Sequence, residues 1–278
     1  MPRVTLTAFR RSRLLWLGLA CALSTGLHAE SDLTAVWELV ARHLANDALA
    51  GLPAKRPPGD REAAFAEAVV RMDAQPTTDA GLRQVAEQLT ELARGRDEIA
   101  EASSYLIGRL YQAHFFTPDY ARAAQEYERL AEGHPESYWA QLGLVKLALL
   151  KLYALPEPAE PVARIAAAEA LLARLTIPAL QRDLHIVIGR AQLFHGQPVA
   201  GVLTHLLAAD RIGGLVGLKR GELLIQIGEL SQRAGQWGQA RDYFQRFVDE
   251  NEVDARIYTV KMKLAEIAAH LPAEEKRP

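Results

Sequence analysis

The chain has 278 residues, 49% hydrophobic and 24% charged, with Lys+Arg 32 against Asp+Glu 34. This is globular composition, long enough for one extended domain or two small ones, and it excludes a low-complexity or fibrous chain. The slightly acidic balance argues against nucleic acid and anionic membrane surfaces as partners.

Period-2 runs of Val, Ile and Thr are scarce, while Ala, Leu, Glu and Arg dominate, which predicts an all-α protein. Residues 1–29 stand apart. Arg3, Arg10, Arg11 and Arg13 make a basic start, Leu14 to Leu23 is a short apolar core, and Leu27-His28-Ala29 closes a small, polar region. That order is a secretory signal peptide, and the apolar run is shorter than the roughly 20 residues of a membrane span. Arg10-Arg11 alone does not make a twin-arginine signal, and the general secretory reading fits better. Gly18-Leu19-Ala20-Cys21 is loosely similar to a bacterial lipoprotein processing site, so a lipid anchor at Cys21 stays open as an alternative to cleavage before Glu30. The expected location is the periplasm of a bacterial envelope, or outside the cell. Cys21 is the only cysteine, so a processed chain has no disulfide, thiol nucleophile or cysteine metal site. Losing four Arg leaves 28 basic against 34 acidic residues, a net charge of −6. No second long apolar run follows, so no integral membrane domain is expected.

Residues 30–60 are expected to form one N-terminal helix and a linker. Leu33, Val36, Trp37, Val40 and Leu44 make one stripe in a helix from Leu33 to about Leu49. Pro53, Pro57 and Pro58 then exclude regular structure. Residues 61–271 read as helix after helix. The first two run from Arg61 to about Ala74 and from Ala80 to about Arg94, the second capped by Thr78 or Asp79. Tyr105, Ile107, Gly108 and Tyr111 precede a second helix carrying Tyr120, Ala123 and Tyr127, with Pro135 closing it. Helix 138–153 carries Trp139, Leu142, Gly143 and Leu147. A loop with Pro156, Pro158 and Pro161 follows, then helix 162–175. Ile188-Gly189, Gly196-Gln197-Pro198, Gly201 and His205 mark the next pair, broken at Gly213-Gly214. Leu224, Ile227 and Gly228 face Trp237, Ala240, Phe244 and Phe247 across the turn at Gly235. A last helix from Ala255 to about Leu271 would cap the array, and 272–278 is expected to be a charged, disordered tail.

The unit Gly221–Glu250 resembles the tetratricopeptide repeat, a helix–turn–helix of roughly 34 residues. Gly228 and Ala240 are the small residues that let two helices approach, and Trp237 and Phe244 the large ones beside them. The matching glycines 108, 143, 189 and 228 are spaced 35, 46 and 39. Gly108 to Tyr127 spans 19 residues against 16 from Gly228 to Phe244. That lengthened turn, within His114 to Asp119, is similar to the Sel1-like variant. The resemblance implies a right-handed superhelical solenoid of stacked antiparallel pairs, about 11–12 helices in all. It further implies a concave groove lined by the first helix of each pair: Tyr105, Arg109 and Gln112; Leu144 and Leu147; Arg190 and Phe194; Gln226, Glu229 and Arg233; and Lys263 on the cap. Arg109, Arg190 and Arg233 would project together into it.

No catalytic constellation accompanies this. His185, His195 and His205 recur every ten residues, but no carboxylate stands as in HExxH, so they read as helix-end or groove histidines with no metal. Nucleophile-elbow and phosphate-loop motifs are missing from suitable contexts. The expectation is a non-enzymatic, cofactor-free exported scaffold holding a protein or peptide in the groove. The alternative is an accessory subunit of an envelope assembly or export machine, lipid-anchored through Cys21.

Overall fold

The computed structural model describes residues 33–53 and 59–271. The signal segment with Cys21, and the tail 272–278, lie outside the described residues, as does the middle of the linker. The described residues are all-helical, and their 13 α-helices pack neighbour on neighbour. The chain divides into two compact units, one up to Ala140 and one from Gln141 onward.

In the first unit, α1 (Thr34–Ala41) and α2 (Ala45–Ala50) replace the single helix expected over 33–49. His43 adopts φ 59°, a left-handed conformation that ends a helix. The pair is not a loose appendage. Leu33, Val36, Trp37 and Ala48 share one buried core with the helices that follow, and the Trp37 and Phe65 ring centres lie 6.1 Å apart. Next come α3 (Arg61–Asp73), α4 (Asp79–Leu92), α5 (Glu98–Arg109) and α6 (Tyr120–Gly133). Each starts on a side-chain cap that satisfies an otherwise orphaned N–H. Asp60 accepts from the Ala63 N–H, Thr78 from Gly81, Asp97 from Ala100 and Asp119 from Arg122. Asp97 also accepts from Arg61 Nε and Nη2 at 3.0 and 2.9 Å, and Arg61 Nη2 reaches the Leu92 carbonyl at 2.8 Å. One guanidinium thus joins the start of α3, the end of α4 and the start of α5. Between α5 and α6 the extra residues form a turn of π-helix, Leu110–His114, before an extended Phe115.

The division between the units falls within α7 (Tyr138–Tyr153). After the proline loop come α8 (Pro161–Glu169), a 3₁₀ turn (Ala170–Arg174), α9 (Pro178–Phe194), α10 (Val199–Ile212), α11 (Gly217–Arg233), α12 (Trp237–Glu250) and α13 (Ile257–Ala268). The helix expected over 162–175 therefore tightens to 3₁₀ in its last turn. α9 starts without its own side-chain cap. Buried Gln141 serves instead: its Oε1 accepts from the backbone N–H of Thr176 and Ile177 at 2.8 and 2.9 Å.

Glycine and aromatic interlock twice in the same way. A Cβ added at Gly108 would lie 2.5 Å from Tyr127 Cε1, and one at Gly228 would lie 2.7 Å from Phe244 Cε1. Both rings are fully buried, as are Ala123 and Ala240 beside them. The α9–α10 pair has the same layout with weaker filling. A Cβ at Gly189 would meet Leu206 Cδ2 at 3.1 Å, and His205 occupies the aromatic position. Gly201, where the other pairs have Ala, faces only the flexible end of Gln192, whose Oε1 would be 3.3 Å from an added Cβ. Gly201→Ala should therefore be tolerated: helix propensity gains up to about 1 kcal/mol, the amide shifts slightly, and thermal melts should place the variant at or slightly above wild type.

Candidate functional site

The first helix of each pair is more deeply enclosed than its amphipathic stripe suggests. In α5, Ile99, Ala100, Ala102, Ser103, Ser104, Tyr105, Ile107 and Gly108 are all buried. Tyr105 is thus a core residue and not part of a binding face. Its ring lies 5.9 Å from Tyr127 and 5.4 Å from Trp139, and burial pushes its hydroxyl up to about 12. Leu144 and Leu147 are likewise in the core, at 1% and 2% exposure. These three expectations fail for one reason. Helices that pack on both flanks leave only a narrow strip to solvent, and Tyr105, three residues before Gly108, lies on the enclosed side.

Arg109 and Gln112 remain half-exposed in the first unit. They are occupied with each other: Arg109 Nη1 donates to Gln112 Oε1 at 3.0 Å, and the Tyr127 hydroxyl donates to the same oxygen at 2.8 Å. An open cleft of about 710 Å³ lies elsewhere in this unit, lined by Arg83, Glu87, Glu91, Tyr111 and Arg122 among others. The Arg122 guanidinium covers the Tyr111 ring at 4.0 Å.

In the second unit, exposed and half-exposed side chains of α9, α11 and α13 approach one another along a strip. On α11, Glu222, Gln226, Glu229 and Arg233 recur at spacings of 4, 3 and 4 and so share one face. Arg190 on α9 approaches Glu222 at 3.9 Å, and Lys263 on α13 approaches Glu229 at 3.4 Å. These side-chain contacts connect the face of α11 to α9 on one side and to α13 on the other. Beyond Arg190 the strip becomes apolar. Phe194 is 74% exposed and meets the 47% exposed Tyr153 of α7 edge to face at 5.7 Å. The proline loop next to Tyr153 is braced by Arg164, which donates to the carbonyls of Lys151 and Pro156 at 3.1 and 3.2 Å. Of the sequence-derived lining, Arg190, Phe194, Gln226, Glu229, Arg233 and Lys263 therefore lie along one strip. Tyr153 and Glu222 join them. Tyr153 had a sequence signal, a large aromatic at a helix end before a proline loop. Glu222 had its α11 spacing.

A second cluster lies between α8, α9 and α10. His205, 8% exposed, donates through Nε2 to Glu169 Oε1 at 3.0 Å, and Gln192 Nε2 donates to the same oxygen at 3.3 Å. His205 Nδ1 lies 3.0 Å from His185 Nδ1. Two nitrogens bound to one tetrahedral ion would stand about 3.3 Å apart. The observed 3.0 Å is hydrogen-bond distance. Among the described residues no group of three or more His, Cys, Asp or Glu is placed to hold a metal ion. His195 stands away from this line, its ring 6.2 Å from that of Tyr153.

Among the described residues no helix is long and apolar enough to cross a membrane. No protein-family model matches the chain, and no curated protein matches it.

Proposed function

We propose that the helix pairs are repeats of the tetratricopeptide type, stacked as a right-handed solenoid, and that the chain is an exported, non-enzymatic scaffold. It holds a protein or peptide against the outer strip of its repeat-first helices. The observation that carries this reading is the strip of α9, α11 and α13. An aromatic pair stands in solvent at one end, and the guanidinium groups of Arg190 and Arg233 lie along it. Exposed aromatics beside arginine are the usual anchors of an interface. Phe194 and Tyr153, 74% and 47% exposed, stand together as an aromatic pair open to a partner. The order of basic, apolar and polar segments in residues 1–29 supports export.

The test is a combined Arg190→Ala, Phe194→Ala and Arg233→Ala variant, compared with wild type in crosslinked capture from the native envelope. Each exposed charge contributes about 0–1 kcal/mol and the aromatic anchor about 2 kcal/mol. Capture of the wild-type partner should therefore fall at least about tenfold, with helicity and melting nearly unchanged. A variant that takes the same partner at wild-type yield, in low and high salt alike, would remove this strip as the binding face.

A further inference from the structure

The line Glu169–His205–His185 crosses three helices and uses both nitrogens of a buried imidazole. We propose that it is a proton-operated latch, which links α8, α9 and α10 at neutral pH and opens at the His185–His205 contact when His185 takes up a proton.

The proton count limits what the line can hold. With both rings neutral, His205 keeps its Nε2–H on Glu169, and His185 donates its Nδ1–H to His205 Nδ1. One added proton can be accommodated, because His205 can donate from both nitrogens, to Glu169 and to His185 Nδ1. His185 changes tautomer, carrying its hydrogen on Nε2, and the line remains intact. A second proton has no place in it. It would set two N–H groups against each other across 3.0 Å and place two imidazolium charges side by side. The contact can then survive only by separation, and the half-exposed His185 is the ring able to swing out.

Of the other charged groups of these elements, Arg211 of α10 is exposed, and most others are engaged elsewhere. On α9, Arg182 donates to Asp183 at 2.7 Å and to the Gly213 carbonyl at 3.0 Å. On α10, Asp210 is held by Arg220, Tyr243 and Arg246. Arg174 of the 3₁₀ turn has its own interactions. Glu169 is thus the anion facing the pair. Burial, and then the charge of His205, lower the pKa of His185 below its ordinary value. The sign follows. As pH falls below about 6.5 the unfolded chain binds a proton at this position and the folded chain does not. Stability is lost from there downward until the lowered folded value is reached. Above about 6.5 the latch is fully closed.

The experiment uses the full chain, wild type and His185→Gln, in thermal melts between pH 7.5 and 5.0, with imidazole nitrogen shifts read by NMR in the wild type. His114, itself lowered by burial, titrates in both proteins and cancels in the comparison. Wild type should lose a few degrees more on acidification than the variant, and His185 should protonate below pH 6.5. Equal losses in the two proteins, or a His185 midpoint at or above 6.5, would overturn the latch.

Discussion

Asp210→Ala should be among the most destabilising substitutions in the second unit, lowering stability by about 3 kcal/mol and the melting temperature by about 6–12 °C. The Asp210 carboxylate is 10% exposed and collects donors from two other helices. Arg220 of α11 donates to it. From α12, the Tyr243 hydroxyl reaches it at 2.8 Å and Arg246 Nη1 at 3.0 Å. Removing it leaves two guanidinium groups facing each other without their shared anion, although Glu250 still accepts from Arg220 at 2.9 Å. Burial alone would raise the Asp210 carboxyl, but the bonds from Arg246, Arg220 and Tyr243 outweigh it and hold its pKa below the ordinary value. The stabilisation is therefore complete above about pH 4 and lost only as pH falls through the lowered value. Tyr243 is pushed the other way, up to about 12, by burial and by the bond it donates to Asp210. Thermal melts at pH 7 check the prediction. A loss under about 1 kcal/mol would mean that Arg220 and Arg246 find other partners.

Gly228→Leu is the second large effect. A Cβ here lies 2.7 and 2.8 Å from two atoms of the Phe244 ring. That ring is fully buried and cannot rotate away as a surface chain would. Gly228→Ala should already lose stability, because the clash exceeds the gain of up to about 1 kcal/mol in helix propensity. Leu adds three more carbons to the same closed space and should cost about 3 kcal/mol. The expected order of melting temperatures is wild type, then Gly228→Ala, then Gly228→Leu, with Gly201→Ala not below wild type. An unchanged Gly228→Leu would contradict the tight α11–α12 approach.

Much of the helical order is legible in the chain because it rests on local signals. Helix 138–153 and the pair 221–250 follow from apolar spacing, and the Gly228–Phe244 contact from the pairing of a small with a large residue. Other features depend on contacts that a stripe of residues does not encode. The Asp210 cluster joins residues up to 36 positions apart. The histidine line joins Glu169 at the end of one helix to His205 two helices later, so the ten-residue spacing of histidines gave no hint of the carboxylate. Gln141 caps a helix 35 residues away from it. The break at His43 is a backbone choice by a residue that also fits a helix. Trp237, expected to pack between α11 and α12, is only half-buried and stacks at 4.0 Å on His270 beyond the last helix.

The packing of each helix on the next has a kinetic consequence. Contacts in either unit are mostly between segments adjacent in the chain, so little loop entropy must be lost before they form. Low contact order of this kind belongs to fast-folding helical proteins, and formation can begin at any well-matched pair and spread outward. The two interlocked glycine–aromatic pairs, α5–α6 and α11–α12, are the natural starting points. If the chain is exported unfolded, as proposed, it would gather structure pair by pair as it emerges, without waiting for its far end.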